Sequence, residues 1–206
     1  MLKLLFPVPE KVTVALSGGV DSVAITDFLS RKHDVTCAFY HHGTENSDRA
    51  GDFVGKFCTQ RGLPLIIGML NKEKDPKLSM EEFWRNERYS FLSSLSSLGP
   101  VITGHHLDDC VETYLFSAIT GTPKVIPSTR NNVVRPFLTT RKSEFVAWCE
   151  RKNITWCQDL SNDDTSYARN YIRKELMPHA LKVNPGLHTM VKKIVERKQV
   201  DVDFAE

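Results

Sequence analysis

At 206 residues, with 41% apolar and 25% charged side chains, the chain can bury a core as one α/β domain and has the composition of an ordinary globular protein. No apolar run approaches the roughly 20 residues of a membrane span, and five widely spaced cysteines without a C-x-x-C pair argue against a disulfide framework, a zinc site or an iron–sulfur site. The net charge of +2 is unevenly spread: 12 Lys/Arg face 15 Asp/Glu up to Pro123, but 15 face 7 from Lys124 to Val200. Such a basic C-terminal third fits a nucleic-acid-facing surface, and equally a solvated helical face. The stretch before the first strand is too short for a secretory signal, so a cytoplasmic location without membrane contact is expected.

The first strand is predicted at 12–16 and the first helix at 20–31, joined by Ser17-Gly18-Gly19-Val20-Asp21-Ser22. Glycines there let the backbone approach a ligand, and the free amides of the helix start form an anion site. Ser17 and Ser22 add hydroxyl donors. A carboxylate at Asp21 would repel a polyphosphate unless a divalent cation lay between them, and Mg²⁺ suits that task. The lysine of a Walker A loop is absent, so this is a different phosphate cradle.

Strands follow at 35–40, 64–69 and 100–103, with helices over 47–61, 79–97 and 106–119. The alternation predicts right-handed βαβ units and a parallel sheet with helices on both faces. In such sheets ligands bind at the carboxyl ends of the strands, beside the switch in strand order. Ser17, His41-His42 and Gly104-His105-His106 all fall at such ends. On the 79–97 helix, Arg85 and Arg88 share a face at i, i+3.

A helix starting near His106 places Asp109 and Glu112 at i, i+3 and Asp108 and Glu112 at i, i+4, so the acids are expected to cluster on its first turn. Acids there also stabilise a helix dipole without any further role. The H-x-x-x-H spacing of a helical metal site is missing. A carboxylate pair beside His106 as a base suits gripping and deprotonating an ammonium group. After a break at 121–123, Val133-Val134-Arg135-Pro136 leads to helices over 141–152, 165–179 and 184–198. Ser161 to Thr165 offer capping side chains, and Arg169 and Arg173 at i, i+4 are placed to fork onto phosphate oxygens.

Together these residues resemble the tRNA(Ile)-lysidine synthetase family of the N-type ATP-pyrophosphatase (PP-loop) superfamily. Ser17–Ser22 is similar to the superfamily signature. The more specific resemblance lies in Arg85-x-x-Arg88-Tyr89, in Thr103-Gly104-His105-His106 with Asp108, Asp109, Glu112 and Thr113, in Arg135-Pro136-Phe137-Leu138, and in the run from Ser161 to Arg173. It covers roughly residues 12–187 and departs at His42-Gly43-Thr44-Glu45, where the family usually reads H-G-L-R.

The resemblance implies a Rossmann-like (adenine nucleotide alpha hydrolase-like) α/β fold, with an ATP-binding catalytic domain at 1–125 and a basic, mainly helical extension at 126–206. It implies ATP-dependent ligation of free L-lysine to C2 of the wobble cytidine of a tRNA(Ile), through an adenylated tRNA, with a homodimer left open. In that reading Ser17, Gly18, Gly19, Val20, Asp21 and Ser22 hold ATP, and Asp21 also holds Mg²⁺. Arg85, Asp109 and Glu112 hold lysine. Asp21, His106, Asp109, Glu112 and Arg173 are catalytic, and Arg88, Arg169, Arg173, Lys192 and Lys193 meet tRNA or phosphate. Relatives often carry further C-terminal domains that grip tRNA, so here the affinity is expected to come from the basic helices or a partner, or to be weak. A PP-loop thiolase, or a module that only binds ATP or tRNA, is the alternative.

Overall fold

The computed structural model describes residues 2–158 and 168–198. The capping segment expected at 161–165 therefore lies outside the described residues. Six strands form one sheet in the order β3-β2-β1-β4-β6-β5. They are β1 (Lys11–Ala15), β2 (Asp34–His41), β3 (Leu65–Met69), β4 (Val101–Ile102), β5 (Thr129–Arg130) and β6 (Val133–Val134). Between them run α1 (Val20–Leu29), α2 (Glu45–Arg61), α3 (Met80–Ser94) and α4 (Leu107–Thr120). All neighbours pair in parallel except β5 and β6. The parallel sheet expected from the sequence is present, with one antiparallel pair at its edge where a two-residue turn returns the chain beside itself.

Alternation along the strands separates two apolar layers. Val12, Val14, Cys37, Ile102 and Val134 point into the cluster that holds Val23, Phe57, Phe145 and Trp148. Their neighbours Ala15, Ala38, Val101 and Val133 point the other way, against Leu92 and Leu95 of the α3 region. Both faces are covered, because the crossover connections between parallel strands lay helices on the two sides of the sheet.

Past residue 125 the chain keeps building the same body. Strand β6 pairs with β4, and α5 (Lys142–Arg151) packs on α1. There follow α6 (Ala168–Tyr171), a π-helical turn (Ile172–Leu176), α7 (Met177–Val183) and α8 (Leu187–Arg197). The helix expected to end at 179 runs on to Val183, with Pro178 in the first turn of α7, where its missing N–H costs little. Helices α7 and α8 close a third apolar cluster against Leu107 and Val111 of α4.

This order places the switch point between β1, which turns to β2 on one side, and β4 on the other. The loop after β1 and the start of α4 after β4 meet there. A Cβ added at Gly104 would lie 3.5 Å from the Asp21 Cβ.

Candidate active site

The phosphate loop is closed by its own side chains. Gly18 adopts φ +86°, a left-handed conformation that favours glycine, and Gly19 caps α1 without a side-chain hydrogen bond. The Ser22 hydroxyl donates to the Gly19 carbonyl (3.0 Å) and accepts from the Ser17 amide (3.1 Å), so it shapes the loop and is not a free donor. The Cys157 amide donates to the Gly18 carbonyl at 2.9 Å, tying the loop to the chain after α5.

Asp21 sits at the mouth of this loop. Its Oδ1 is buried without a hydrogen-bond partner, and burial raises its pKa against the pull of His106 and Lys142. A hard divalent cation shared with phosphate oxygens fits such an oxygen. No group of three His, Cys, Asp or Glu capable of holding a metal occurs among the described residues, so Mg²⁺ would depend on Asp21 and the phosphates.

Helix α4 opens with a reciprocal cap. The His106 amide donates to Asp109 Oδ2 (3.0 Å), and the Asp109 amide donates to His106 Nδ1 (3.4 Å). That cap places the imidazole proton on Nε2, which lies 3.7 Å from Asp21 Oδ2. Burial lowers the His106 pKa although Asp21 and Asp108 oppose it. Nδ1 is engaged in the cap and Nε2 faces Asp21, so the ring joins the start of α4 to the phosphate loop, whereas the sequence suggests a free base.

The acids expected to cluster divide between two faces. Asp108 accepts from the Lys142 amide (2.8 Å) and pairs with His188 Nε2 (3.2 Å), fastening α4 to α5 and α8. Burial alone would raise its carboxyl, but the Lys142 amide, His106 and His188 together hold it below the usual range. Asp109 and Glu112 face the opposite way and meet the two arginines. Arg173 reaches Glu112 Oε2 through Nη2 (2.6 Å) and Nε (2.9 Å), and Asp109 Oδ1 through Nη2 (3.1 Å). Arg169 donates to Glu112 Oε1 at 3.0 Å. Both guanidinium groups therefore bind protein carboxylates, where the sequence suggested phosphate. Glu112 is 2% exposed, and a carboxylate so placed requires such partners.

These groups line a cavity of about 610 Å³ that also takes in Arg85, Arg88, His105 and Arg135. Arg85 lies over the Tyr89 ring at 5.2 Å, and burial lowers the pKa of Arg88. Lys192 and Lys193 are exposed on α8 and do not line the cavity. Arg135, absent from the predicted site, is 2% exposed and donates to the Tyr89 hydroxyl (3.1 Å) and the Pro127 carbonyl (3.0 Å). A cation inside the apolar run Val133–Leu138 was the signal that could have found it. Thr113 Oγ1 and Trp84 Nε1 also face the cavity, buried and unpartnered.

His105 reports on this field. Burial, then Arg135, Arg88 and Arg85, lower its pKa from 6.5 to about 3. Between those values the unfolded chain binds the proton first, so this group's contribution to stability is full above the ordinary value and declines as pH falls toward the folded one. Asp21 and Asp109, raised by burial, act in the opposite sense. The thermal midpoint of His105→Gln should therefore fall less than the parent's between about pH 7 and about pH 4. Parallel melting curves check this; equal falls would contradict it.

The chain matches the PP-loop domain family over residues 3–180. A tRNA(Ile)-lysidine synthase from Haemophilus ducreyi is 32% identical over 197 residues, which cover 90% of this chain and 46% of that protein. One from Thermotoga maritima is 29% identical over 213 residues, covering 96% and 51%. The chain spans about half the length of these curated relatives. Among solved structures, the U34-tRNA thiolase of Methanococcus maripaludis superposes with TM-score 0.74 at 17% identity, over 96% of this chain and 75% of that one. The NH3-dependent NAD synthetase of Campylobacter jejuni gives 0.55 at 17% identity, over 95% and 90%. At these identities the structures speak for the fold alone. No described helix is long and apolar enough to cross a membrane.

Proposed function

The chain belongs to the PP-loop domain family, and from that premise we propose that it joins lysine to C2 of the wobble cytidine of a tRNA(Ile), consuming ATP. The observation that carries this reading is one rim that joins two kinds of chemistry. A glycine loop holds Asp21 at its mouth, with Oδ1 unpartnered and Oδ2 3.7 Å from Nε2 of His106, whose helix presents Asp109 and Glu112 to a cation-lined cavity. The similarity to tRNA(Ile)-lysidine synthases supports the same choice of substrates.

In the first half-reaction the cytidine O2 attacks the α-phosphorus of ATP and the bond to pyrophosphate breaks. The amides around Gly18 and Gly19 hold the phosphates, with Asp21 facing them across the metal position. Mg²⁺ bound there would neutralise charge on the triphosphate and the departing pyrophosphate. Adenylation turns a poor leaving oxygen into a good one. In the second half-reaction a lysine amine attacks C2, and AMP departs with the oxygen. Asp109 and Glu112 receive the ammonium group, exchanging or sharing their contacts with Arg169 and Arg173. Asp109, its pKa raised by burial, is placed to accept a proton from the ammonium group. Arg85, without a carboxylate partner among the described residues, suits the lysine carboxylate.

Residues 1–125 supply the phosphate loop, the acids and Arg85 in this scheme, and 126–206 supply Arg169, Arg173 and the charge that faces tRNA. The reaction takes place in the cytoplasm. Incubating tRNA, ATP and lysine with the protein and analysing the nucleosides tests the proposal: lysidine should accumulate together with AMP. ATP–pyrophosphate exchange without any lysidine would instead favour another modification.

Exposed Lys192 and Lys193 provide charge away from the reacting atoms. Replacing both with alanine should weaken tRNA binding and flatten its salt dependence by roughly one to two phosphate contacts, while turnover at saturating tRNA stays near the parent value. Affinity titrations at several salt concentrations measure this. An unchanged slope would place the tRNA elsewhere.

A further inference from the structure

A second cavity of about 230 Å³ opens beside the first, between α3 and the β5–β6 hairpin. One wall carries Asn86, Ser90 and Ser93, which share a helical face at i, i+4 and i+7, with Arg85 at its margin. The other wall carries Arg130 and Asn131 at the hairpin tip, with Asn131 at φ +54°. Tyr89 forms the floor, its ring within 6 Å of Arg85, Arg88 and Arg130. The groove is held open by two cross-links. The Asn132 side-chain amide donates to the Leu92 carbonyl (3.1 Å), and Arg135 donates to the Tyr89 hydroxyl.

The chemistry of the walls is one-sided. No Asp or Glu lines this groove, and the two arginines have no carboxylate partner among the described residues. The side chains of Asn86, Ser90, Ser93 and Asn131 are exposed and have no hydrogen-bond partners among the described residues. Two guanidinium groups with amide and hydroxyl donors, on a rigid aromatic floor, match a phosphate-and-sugar backbone. They do not match a cation or an apolar ligand. Arg85, Tyr89 and Arg130 also line the larger cavity, so the two spaces adjoin across these three side chains.

We propose that this groove binds the phosphodiester backbone of the RNA strand next to the target nucleotide, so that the base enters the larger cavity while its neighbour is held outside. The inference rests on the reading of tRNA as substrate and adds the path of the strand. Three residues of the larger cavity, Arg85, Tyr89 and Arg130, are thereby shared with the groove, whereas Ser90 and Asn131 belong to the groove alone.

The test compares the parent with Ser90→Glu combined with Asn131→Asp, which adds one negative charge to each wall. Both positions are exposed, and aspartate tolerates the left-handed conformation at 131. Affinity for an anticodon stem-loop RNA should fall by about tenfold or more, with a shallower salt slope, while KM for ATP stays unchanged. Asn86→Lys should do the reverse and tighten RNA binding, a gain that misfolding cannot mimic. Unchanged RNA affinity in both variants overturns the proposal. So does a rise in KM for ATP alone, which would assign the groove to the nucleotide's phosphates. A parent protein that binds no RNA overturns the groove and the tRNA reading together. Binding that responds to the variants without any lysidine formation supports the groove and defeats only the ligase reading.

Discussion

Asp21→Asn should lower pyrophosphate release by about 10³-fold or more and leave the fold intact or slightly more stable. Removing one group that stabilises developing charge typically costs about 10²–10³ in rate, and Asp21 offers a buried, unpartnered carboxylate oxygen beside the phosphate loop, where Mg²⁺ would be held. The stability half of the expectation comes from the same geometry. Its Oδ1 is buried without a partner and its pKa is raised by burial, so the folded chain gains nothing from the charge. A neutral amide of the same shape relieves that cost. Rapid-quench measurement of pyrophosphate and a thermal melt on the same preparation give both answers. Turnover at the parent rate would remove the metal role from Asp21, and a sharply lowered melting point would show a structural one.

Glu112→Gln separates the two half-reactions. Lysine transfer should drop by about 10²–10³-fold, the range for a lost charge-stabilising group, while adenylation in the absence of lysine stays within about tenfold. Glutamine keeps the shape of the buried side chain but cannot hold an ammonium group. The stability cost should be smaller than that of Arg173→Ala. Arg169 and Arg173 are 44% and 36% exposed at their side chains and can turn to water, whereas Glu112 cannot. AMP release without lysine, set against lysidine formed with it, decides the matter. If adenylation falls as far as transfer, the pair serves to aim the arginines and lysine is held elsewhere.

Much of the fold was legible because its periods are strong. The strands 11–15 and 34–41 and the helices α1, α2 and α4 lie within about two residues of where alternation and helical spacing put them. The β5–β6 hairpin was not legible, since two-residue strands have no period to detect. Only the Asn131-Asn132 pair hinted at a turn. In the site, local spacing correctly set Asp109 and Glu112 on one face of a helix. It could not tell that Asp108 turns toward Lys142 and His188, because those partners come from other helices. Nor could it foresee that Arg169 and Arg173 bind protein carboxylates instead of phosphate, because the pairing spans 57 and 61 residues of chain and is set by how α6 and the π turn lie against α4.

The π-helical turn at Ile172–Leu176 solves a problem of phase. In an α-helix a four-residue step overshoots a full rotation by about 40°, so a row at 169, 173, 177 and 181 would wind steadily off any straight neighbour. A turn closed by i to i+5 bonding holds more residues, and a four-residue step within it undershoots instead. The two errors offset each other, and the row stays in line along α4. Its first half is ionic, with Arg169 and Arg173 on Glu112 and Asp109. Its second half is oily, with Met177 and Leu181 against the cluster around Leu107 and Val111. One stripe thus works like a rudder: grease at the stern holds the angle at which the guanidinium blades meet the carboxylates, and trimming a side chain at Met177 would steer groups one helical turn away without touching them.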